Sequence, residues 1–175
     1  IELDGSVWQC VEFLHVKPGK GPAFVRTKLK SVTNGKVVDN TFSAGHKIDE
    51  VKVITRKFQY LYEDDNGFHF MNNDDFSQIY LDKEMIENSQ FMKAGEEVTI
   101  ILEEADEVPL SAEIPPTVYL EVVEADPGVK GNTATNALKN AIVETGARVM
   151  VPLFIEPGDK IKVNTEDGSY LERVK

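Results

Sequence analysis

Apolar and polar residues alternate with a period of two through almost the whole chain, in runs of about five to ten residues that end at glycine, proline, asparagine or aspartate. Successive side chains of a strand point to opposite faces, so this alternation is typical of strands with one buried face. We therefore predict an all-β chain. Only residues 75–95, DFSQIYLDKEMIENSQFMKAG, have helical spacing, and we expect one or two short helices there.

An internal repeat indicates how the chain is divided. GEEVTI begins at Gly95 and GDKIKV at Gly158, an offset of 63 residues, and each is followed by an acidic turn and a last strand. With a double proline at 115–116, the repeat predicts domains at residues 1–50, 51–113 and 114–175. Small five-stranded barrels of the OB type suit this length and strand count, although strand periodicity alone leaves sandwiches equally possible.

The net charge of −11 is distributed unevenly along the chain. Residues 51–113 carry five Lys/Arg and fifteen Asp/Glu, a formal charge of −10, whereas no carboxylate occurs between Phe13 and Val38. Six cations lie in that carboxylate-free stretch: Lys17, Lys20, Arg26, Lys28, Lys30 and Lys36. This basic edge on an acidic body suits either a solvated strand face or a surface that faces phosphate groups.

The composition argues for a protein without a membrane span or an internal disulfide. The longest apolar runs, VTIIL and VMVPLFI, are far shorter than the roughly 20 residues that cross a bilayer. Cys10 is the single cysteine, in a β-patterned segment where we expect it to be a small buried hydrophobe. We therefore expect a cytoplasmic location and no membrane partner.

No group of residues in the sequence has the spacing of a catalytic, metal or cofactor site. His15, His46 and His69 are scattered, without cysteines or carboxylates at metal-ligand spacing. No serine has the setting of a nucleophile elbow, and PGKGP lacks the Lys-Ser/Thr ending of a phosphate-binding loop. We therefore predict that the chain is not an enzyme, with no catalytic residue, no metal and no cofactor.

The segment HVKPGKGPAF, residues 15–24, predicts a tight turn between two runs of β-forming residues. Proline fixes φ and glycine permits positive φ, so this turn has a stiff, narrow tip from which one long side chain projects. The five residues of the tip are Pro18, Gly19, Lys20, Gly21 and Pro22. An ordinary turn with a solvated lysine explains these residues alone, but the basic edge behind them favours a probe that reaches a confined, anionic target.

Three motifs, in this order along the chain, resemble those of the bacterial elongation factor P family, the counterpart of the hypusine-bearing initiation factor 5A. The first is Lys-Pro-Gly-Lys-Gly at residues 17–21, followed by Phe24, and the second is Asp-Pro-Gly-x-Lys-Gly at residues 126–131. The third comprises Lys139, Ala141, Gly146, Val149, Val151, Pro152, Ile155 and Gly158. The resemblance covers essentially the whole chain.

The resemblance implies an N-terminal SH3-like, KOW-type barrel followed by two OB-type barrels, in an L-shaped outline similar to that of tRNA. It implies a monomer that binds the ribosome between the peptidyl-tRNA and exit sites and relieves stalling at consecutive prolines. Lys20 takes the position that the family modifies, near the CCA end of the peptidyl-site tRNA, so a lysine-modifying enzyme is an expected partner. Lysine at this position implies an amine extension rather than arginine rhamnosylation.

The resemblance also implies which residues contact RNA. Lys17, Arg26, Lys28 and Lys30 are expected to bind the tRNA backbone, and the last three share one strand face because alternate residues do so. The loop that the family directs toward the small subunit and the exit-site mRNA codon is matched by Asp126, Gly128, Lys130, Gly131, Asn132 and Thr133. The family commonly has aspartate where this chain has Asn132. Tyr170 and Arg173 match an aromatic residue and an arginine that face RNA, or they close the barrel.

Three other functions are compatible with the sequence. A generic OB protein that binds single-stranded nucleic acid would stack bases on aromatic side chains. Phe58, Tyr60 and Tyr62 alternate on one predicted strand, where they serve equally well as core residues. A protein-binding adaptor would need Lys20 only as a turn residue, and a ribosome-bound paralogue would lack polyproline rescue.

Overall fold

The computed structural model describes residues 1–128 and 137–175, and these residues form three antiparallel sheets that follow one another along the chain. The described residues contain no α-helix. The predicted all-β class is therefore confirmed.

The N-terminal sheet has four strands, paired in the order in which they occur. They are β1 (Glu2–Leu3), β2 (Ser6–Val16), β3 (Phe24–Ser31) and β4 (Val37–Ser43). Strands β2 and β3 form the predicted long hairpin, which is paired from Trp8 opposite Ser31 to Val16 opposite Phe24. Cys10 is exposed, so its predicted burial is wrong. Beyond Trp8, β3 is the only described strand that pairs with β2, and most side chains of β2 are exposed.

The middle and C-terminal sheets each have five strands. The middle sheet consists of β5 (Val53–Asp64), β6 (Gly67–Asn72), β7 (Gln78–Leu81), β8 (Glu97–Glu103) and β9 (Pro109–Glu113). The C-terminal sheet consists of β10 (Thr117–Ala125), β11 (Leu138–Val143), β12 (Arg148–Pro152), β13 (Lys160–Asn164) and β14 (Tyr170–Val174).

These two sheets share one strand order, in which the first strand lies at the centre, the second and third on one side, and the fourth and fifth on the other. The two repeated glycines occupy the same place in it. The Gly95 N–H donates to the Tyr60 carbonyl, and the Gly158 N–H donates to the Val122 carbonyl, each at 2.8 Å. The internal repeat is therefore confirmed, while the division into domains at 1–50, 51–113 and 114–175 stays a prediction.

The one or two short helices predicted between residues 75 and 95 are present only as 3-10 helices, and no α-helix forms there. Gln78–Leu81 is strand β7, paired with β6, and two short 3-10 turns follow at Lys83–Met85 and Ser89–Phe91. Neither turn has a side-chain hydrogen bond at its N-cap. The apolar side chains of this segment face two different cores, so a helix with one buried face cannot form.

Each of the two five-stranded sheets packs around its own apolar core. The middle core includes Phe58, Phe70, Leu81, Val98 and Ile100, all at most 3% exposed. The C-terminal core is built largely of β-branched residues such as Val143, Val151 and Ile161. Alternate residues of the flanking strands supply these side chains, as the period of two predicts.

One aromatic side chain joins the middle and C-terminal parts of the chain. Phe91 lies between β7 and β8 of the middle sheet in the sequence. Its side chain is nevertheless buried in the C-terminal core, with only 4% of its surface exposed. Gly168 lies against it: a Cβ on this glycine would be only 2.9 Å from Cζ of Phe91. Ile114, on the connection between the two sheets, packs against both cores. The two sheets are therefore packed against each other as well as joined by the chain.

Candidate functional site

The tip between β2 and β3 is an exposed turn with a single lysine at its centre. Lys17, Gly19, Lys20, Gly21 and Pro22 are all exposed, and Gly21 has a φ of +109°. Among the described residues, no carboxylate lies within ion-pair distance of either lysine. The structure thus places the Lys20 ammonium in solvent, at the end of a paired hairpin.

Behind the tip, β3 presents its cations on one face, as predicted. Thr27, Leu29 and Ser31 are buried, so the alternating Arg26, Lys28 and Lys30 face outward. Their charge is partly balanced by nearby groups. The ammonium of Lys28 lies 3.2 Å from the carboxylate of Glu12, and the Arg26 guanidinium lies 5.6 Å from the centre of the Phe24 ring.

Lys30 has a partner outside its own sheet. Its ammonium lies 3.2 Å from a carboxylate oxygen of Glu87, which belongs to the segment between β7 and β8. The same carboxylate occupies the space that a Cβ on Gly35 would need. Sequence reasoning missed Glu87, since nothing in its local pattern indicates a contact with the N-terminal sheet. Binding of Lys30 to a tRNA backbone would require this ion pair to open.

The predicted C-terminal loop is described only in part. The Asp126 N–H donates to the Asn140 carbonyl at 2.9 Å, and its carboxylate accepts from the Asn140 side-chain amide at 3.1 Å. Gly128 approaches the Leu153 carbonyl so closely that a Cβ would lie 2.9 Å from it. The remaining predicted residues, Lys130, Gly131, Asn132 and Thr133, lie outside the described residues.

Tyr170 and Arg173 lie on the last strand, β14. Tyr170 is partly buried and packs against the C-terminal core. The Arg173 guanidinium is 5.3 Å from the centre of the Phe154 ring, and its Nη1 is 3.8 Å from Asp159. These contacts fit closure of the barrel, and RNA contact by the two residues stays a prediction.

The third motif contributes mainly to packing. Ala141, Val149, Val151 and Ile155 are each at most 2% exposed in the C-terminal core. Lys139 is also buried, and its ammonium lies 3.3 Å from Glu156. Within residues 1–128 and 137–175, no group of three or more His, Cys, Asp or Glu side chains could hold a metal ion.

Glu96 is a partly buried carboxyl group close to the contact between the middle and C-terminal sheets. Its Oε2 is buried without a hydrogen-bond partner, and burial raises the pKa of this carboxyl although nearby Lys93 opposes the shift. Lys93 is itself engaged, with its ammonium 2.8 Å from Glu144. The ionised form of Glu96 is therefore disfavoured in the folded protein.

Glu96→Gln is expected to stabilise the protein at pH 7 and to reduce the pH dependence of its stability. A carboxyl with a raised pKa stabilises the fold below its unfolded-state pKa, here 4.5, and this contribution is lost as the pH rises through the higher folded-state value. Urea unfolding at a series of pH values, from about pH 4, near the usual carboxyl pKa, up to neutral pH, measures the effect. The exposed Glu104→Gln is the control, and equal pH profiles for the two variants would contradict the expectation.

No helix among the described residues is long and apolar enough to cross a membrane.

Family models match three consecutive parts of the chain. The elongation factor P KOW-like domain matches residues 1–48, the elongation factor P OB domain matches 53–111, and the elongation factor P C-terminal domain matches 118–173. The first two confirm the predicted KOW-type and OB-type order. The strand order shared by the middle and C-terminal sheets extends the OB type to the third.

Proteins named elongation factor P are similar over the whole chain. The protein from Flavobacterium psychrophilum is 58% identical over 175 residues, which are 100% of this chain and 94% of that protein. The Christiangramia forsetii protein is 59% identical over 175 residues, with 100% and 93% covered. A solved structure described as eukaryotic translation initiation factor 5A from Methanococcus jannaschii covers 63% of this chain and 84% of that one, at 22% identity and a TM-score of 0.45. From the matched models and relatives, this chain belongs to the elongation factor P family.

Proposed function

We propose that the chain is a cytoplasmic, monomeric translation elongation factor that binds the ribosome between the peptidyl-tRNA and exit sites. There it accelerates peptide bond formation at consecutive prolines through Lys20. The observation that carries this proposal is the lone, exposed lysine at the tip of a paired hairpin, in a chain of the elongation factor P family.

In this proposal the tip accelerates the reaction by positioning the end of the peptidyl-site tRNA. Proline reacts slowly in peptide transfer, and ordering the CCA end of the peptidyl-site tRNA lowers the barrier without an acid, base or nucleophile from the factor. Each tenfold gain in rate needs only about 1.4 kcal/mol, which one well-placed cation and a few phosphate contacts can supply. This fits a sequence in which no group of residues has the spacing of a catalytic site.

The cationic residues of the N-terminal sheet supply the phosphate contacts in this proposal. Lys17 and Arg26 are exposed and would bind phosphates of the tRNA backbone directly. Lys28 and Lys30 would exchange their carboxylate partners for phosphates. The acidic middle part of the chain, at −10, repels RNA elsewhere and limits binding to the basic edge. The loop that begins at Asp126 would face the small subunit and the exit-site codon.

We further propose that a modifying enzyme extends the Lys20 side chain with an amine-bearing group. The tip is exposed on every residue except the half-buried Pro18, so an enzyme can reach the ammonium without unfolding the hairpin. Extension lengthens the reach of the cation. Intact-mass and peptide mass spectrometry of the protein from its native host would detect an added mass on Lys20.

Lys20→Ala is expected to abolish the acceleration of Pro-Pro-Pro synthesis, because it removes the tip cation and leaves the hairpin backbone unchanged. The measurement is the rate of tripeptide formation in a reconstituted translation system, without factor, with the native protein and with the variant. Lys47→Ala, at another exposed lysine, should retain full activity. If the native protein gives no acceleration with ribosomes of its own source, or if Lys20→Ala is as active, the proposal fails.

A further inference from the structure

Three rings lie side by side on the outer face of the middle sheet, and the proposed function makes no use of them. Tyr62 on β5 is opposite His69 on β6, which is opposite Tyr80 on β7. The rings of Tyr62 and His69 are stacked, with centroids 4.6 Å apart at 19°, and those of His69 and Tyr80 are 6.2 Å apart. We call these three residues the aromatic row.

A β-bulge brings the first ring of the row to this face. The pairing of β5 with β6 shifts register between Tyr60 and Tyr62, so the two tyrosines face opposite sides of the sheet although they are two residues apart. Phe58 and Tyr60 are buried in the core, whereas Tyr62 is 51% exposed. The bulge thus excludes Phe58 and Tyr60 from any base-stacking surface and adds Tyr62 to the row.

Within the ranges that the structure describes, the two tyrosines of the row lack the cation of the same chain that lies over two other exposed rings. The rings of Tyr119 and Phe154 are 45% and 58% exposed, and each has a cation of the same chain near its face, Lys162 at 5.8 Å and Arg173 at 5.3 Å. Tyr80 is 60% exposed. In the part of the chain that the structure describes, no lysine or arginine lies over either tyrosine of the row.

The charges beside the row favour a cationic partner. Three consecutive carboxylates, Glu63, Asp64 and Asp65, lie at the end of β5 and in the turn to β6. Asp64 Oδ2 lies 2.9 Å from His69 Nε2, and this contact lowers the pKa of Asp64. Lys83 forms an ion pair with Glu63, which leaves the two aspartates in excess over nearby cations. A nucleic-acid backbone would be repelled here, whereas arginine and lysine would be attracted.

We propose that the aromatic row and the adjacent Asp64 and Asp65 form a docking surface for a basic, arginine-containing segment of a partner protein. An arginine side chain would stack on the open faces of Tyr62 and Tyr80, since planar guanidinium groups stack well on aromatic rings. The two aspartates would pair with its charge. This surface lies on the middle sheet and would act independently of the Lys20 tip.

The test uses a short peptide of alternating arginine and glycine, titrated into the isotope-labelled full-length chain and followed by NMR. We expect the ring signals of Tyr62, His69 and Tyr80 to shift. A double variant, Tyr62→Thr with Tyr80→Thr, should bind the peptide about five- to tenfold more weakly, as expected for the loss of two exposed cation–π contacts. Asp65→Asn, which leaves the rings in place, should also weaken binding.

The matched control is the double variant Tyr119→Thr with Phe154→Thr, which removes two exposed rings outside the row and should leave peptide affinity unchanged. A peptide with citrulline in place of arginine retains the planar shape without the charge and should not bind the row. The proposal is overturned if the row signals do not move with the arginine peptide, or if both double variants bind it equally. Preferential binding of a uridine oligonucleotide to the row would also overturn it.

Discussion

Replacing Phe91 with alanine is expected to lower the free energy of unfolding by about 3 to 5 kcal/mol, the usual cost of removing a buried phenylalanine. The Phe91 side chain is 4% exposed. The other buried residues of the C-terminal core are aliphatic, so little aromatic side-chain volume is available to fill the cavity that the substitution leaves. The loss should concentrate where the middle and C-terminal sheets meet. Urea unfolding followed by circular dichroism measures the total effect, and amide hydrogen exchange in β10 and β13 locates it.

Phe76→Ala is the matched control for this experiment. Phe76 belongs to the same part of the chain but is 70% exposed, so its truncation should change stability by less than about 0.5 kcal/mol. Equal destabilisation by the two alanine variants would show that Phe91 does not join the sheets as the structure indicates.

Gly67→Ala is expected to destabilise the protein by about 2 to 5 kcal/mol, from a combination of backbone strain and overpacking. Gly67 begins β6 with a φ of +137°, and a Cβ there would lie 2.2 Å from the Leu81 carbonyl oxygen. That oxygen belongs to the backbone of β7, opposite Phe68, and cannot move away without loss of the pairing between β6 and β7. Thermal or urea unfolding of the purified variant measures the effect.

Gly45→Ala distinguishes the cost of backbone strain from the cost of overpacking. Gly45 also has a positive φ, +82°, but nothing lies within 4 Å of a Cβ at this position. Its substitution should cost only the backbone strain, about 1 to 2 kcal/mol. If Gly67→Ala is no more harmful than Gly45→Ala, the close approach to Leu81 does not constrain this strand.

The sequence predicted those parts of the fold that local patterns determine. The alternation of apolar and polar residues identified the strands. The repeated glycines at 95 and 158 predicted two similar sheets, and the two sheets have the same strand order. Alternation also placed Arg26, Lys28 and Lys30 on one face, since that property depends only on the strand itself. The tip at residues 18–22 could also be predicted from the sequence, because proline and glycine specify a turn locally.

What the sequence could not predict depends on contacts between distant segments. The bulge after Tyr60 arises from the register of β5 against β6, and it reversed the direction expected for Tyr62. The helical spacing of residues 75–95 corresponds to two short 3-10 helices and no α-helix, because Ile86 and Phe91 are buried in different cores. The pairing of Lys30 with Glu87 spans 57 residues of sequence, and no local pattern signals it.

The position of Phe91 has a consequence for the order of events during synthesis. The core residues that bury this ring extend to Val163, about 70 residues later in the chain. At about 5 to 20 residues per second, the Phe91 ring would wait roughly 4 to 14 s after its synthesis for the last of these core residues. During that interval the nascent chain presents an uncovered aromatic ring, which is a natural contact for a chaperone at the tunnel exit. Completion of the C-terminal sheet then ends this exposure.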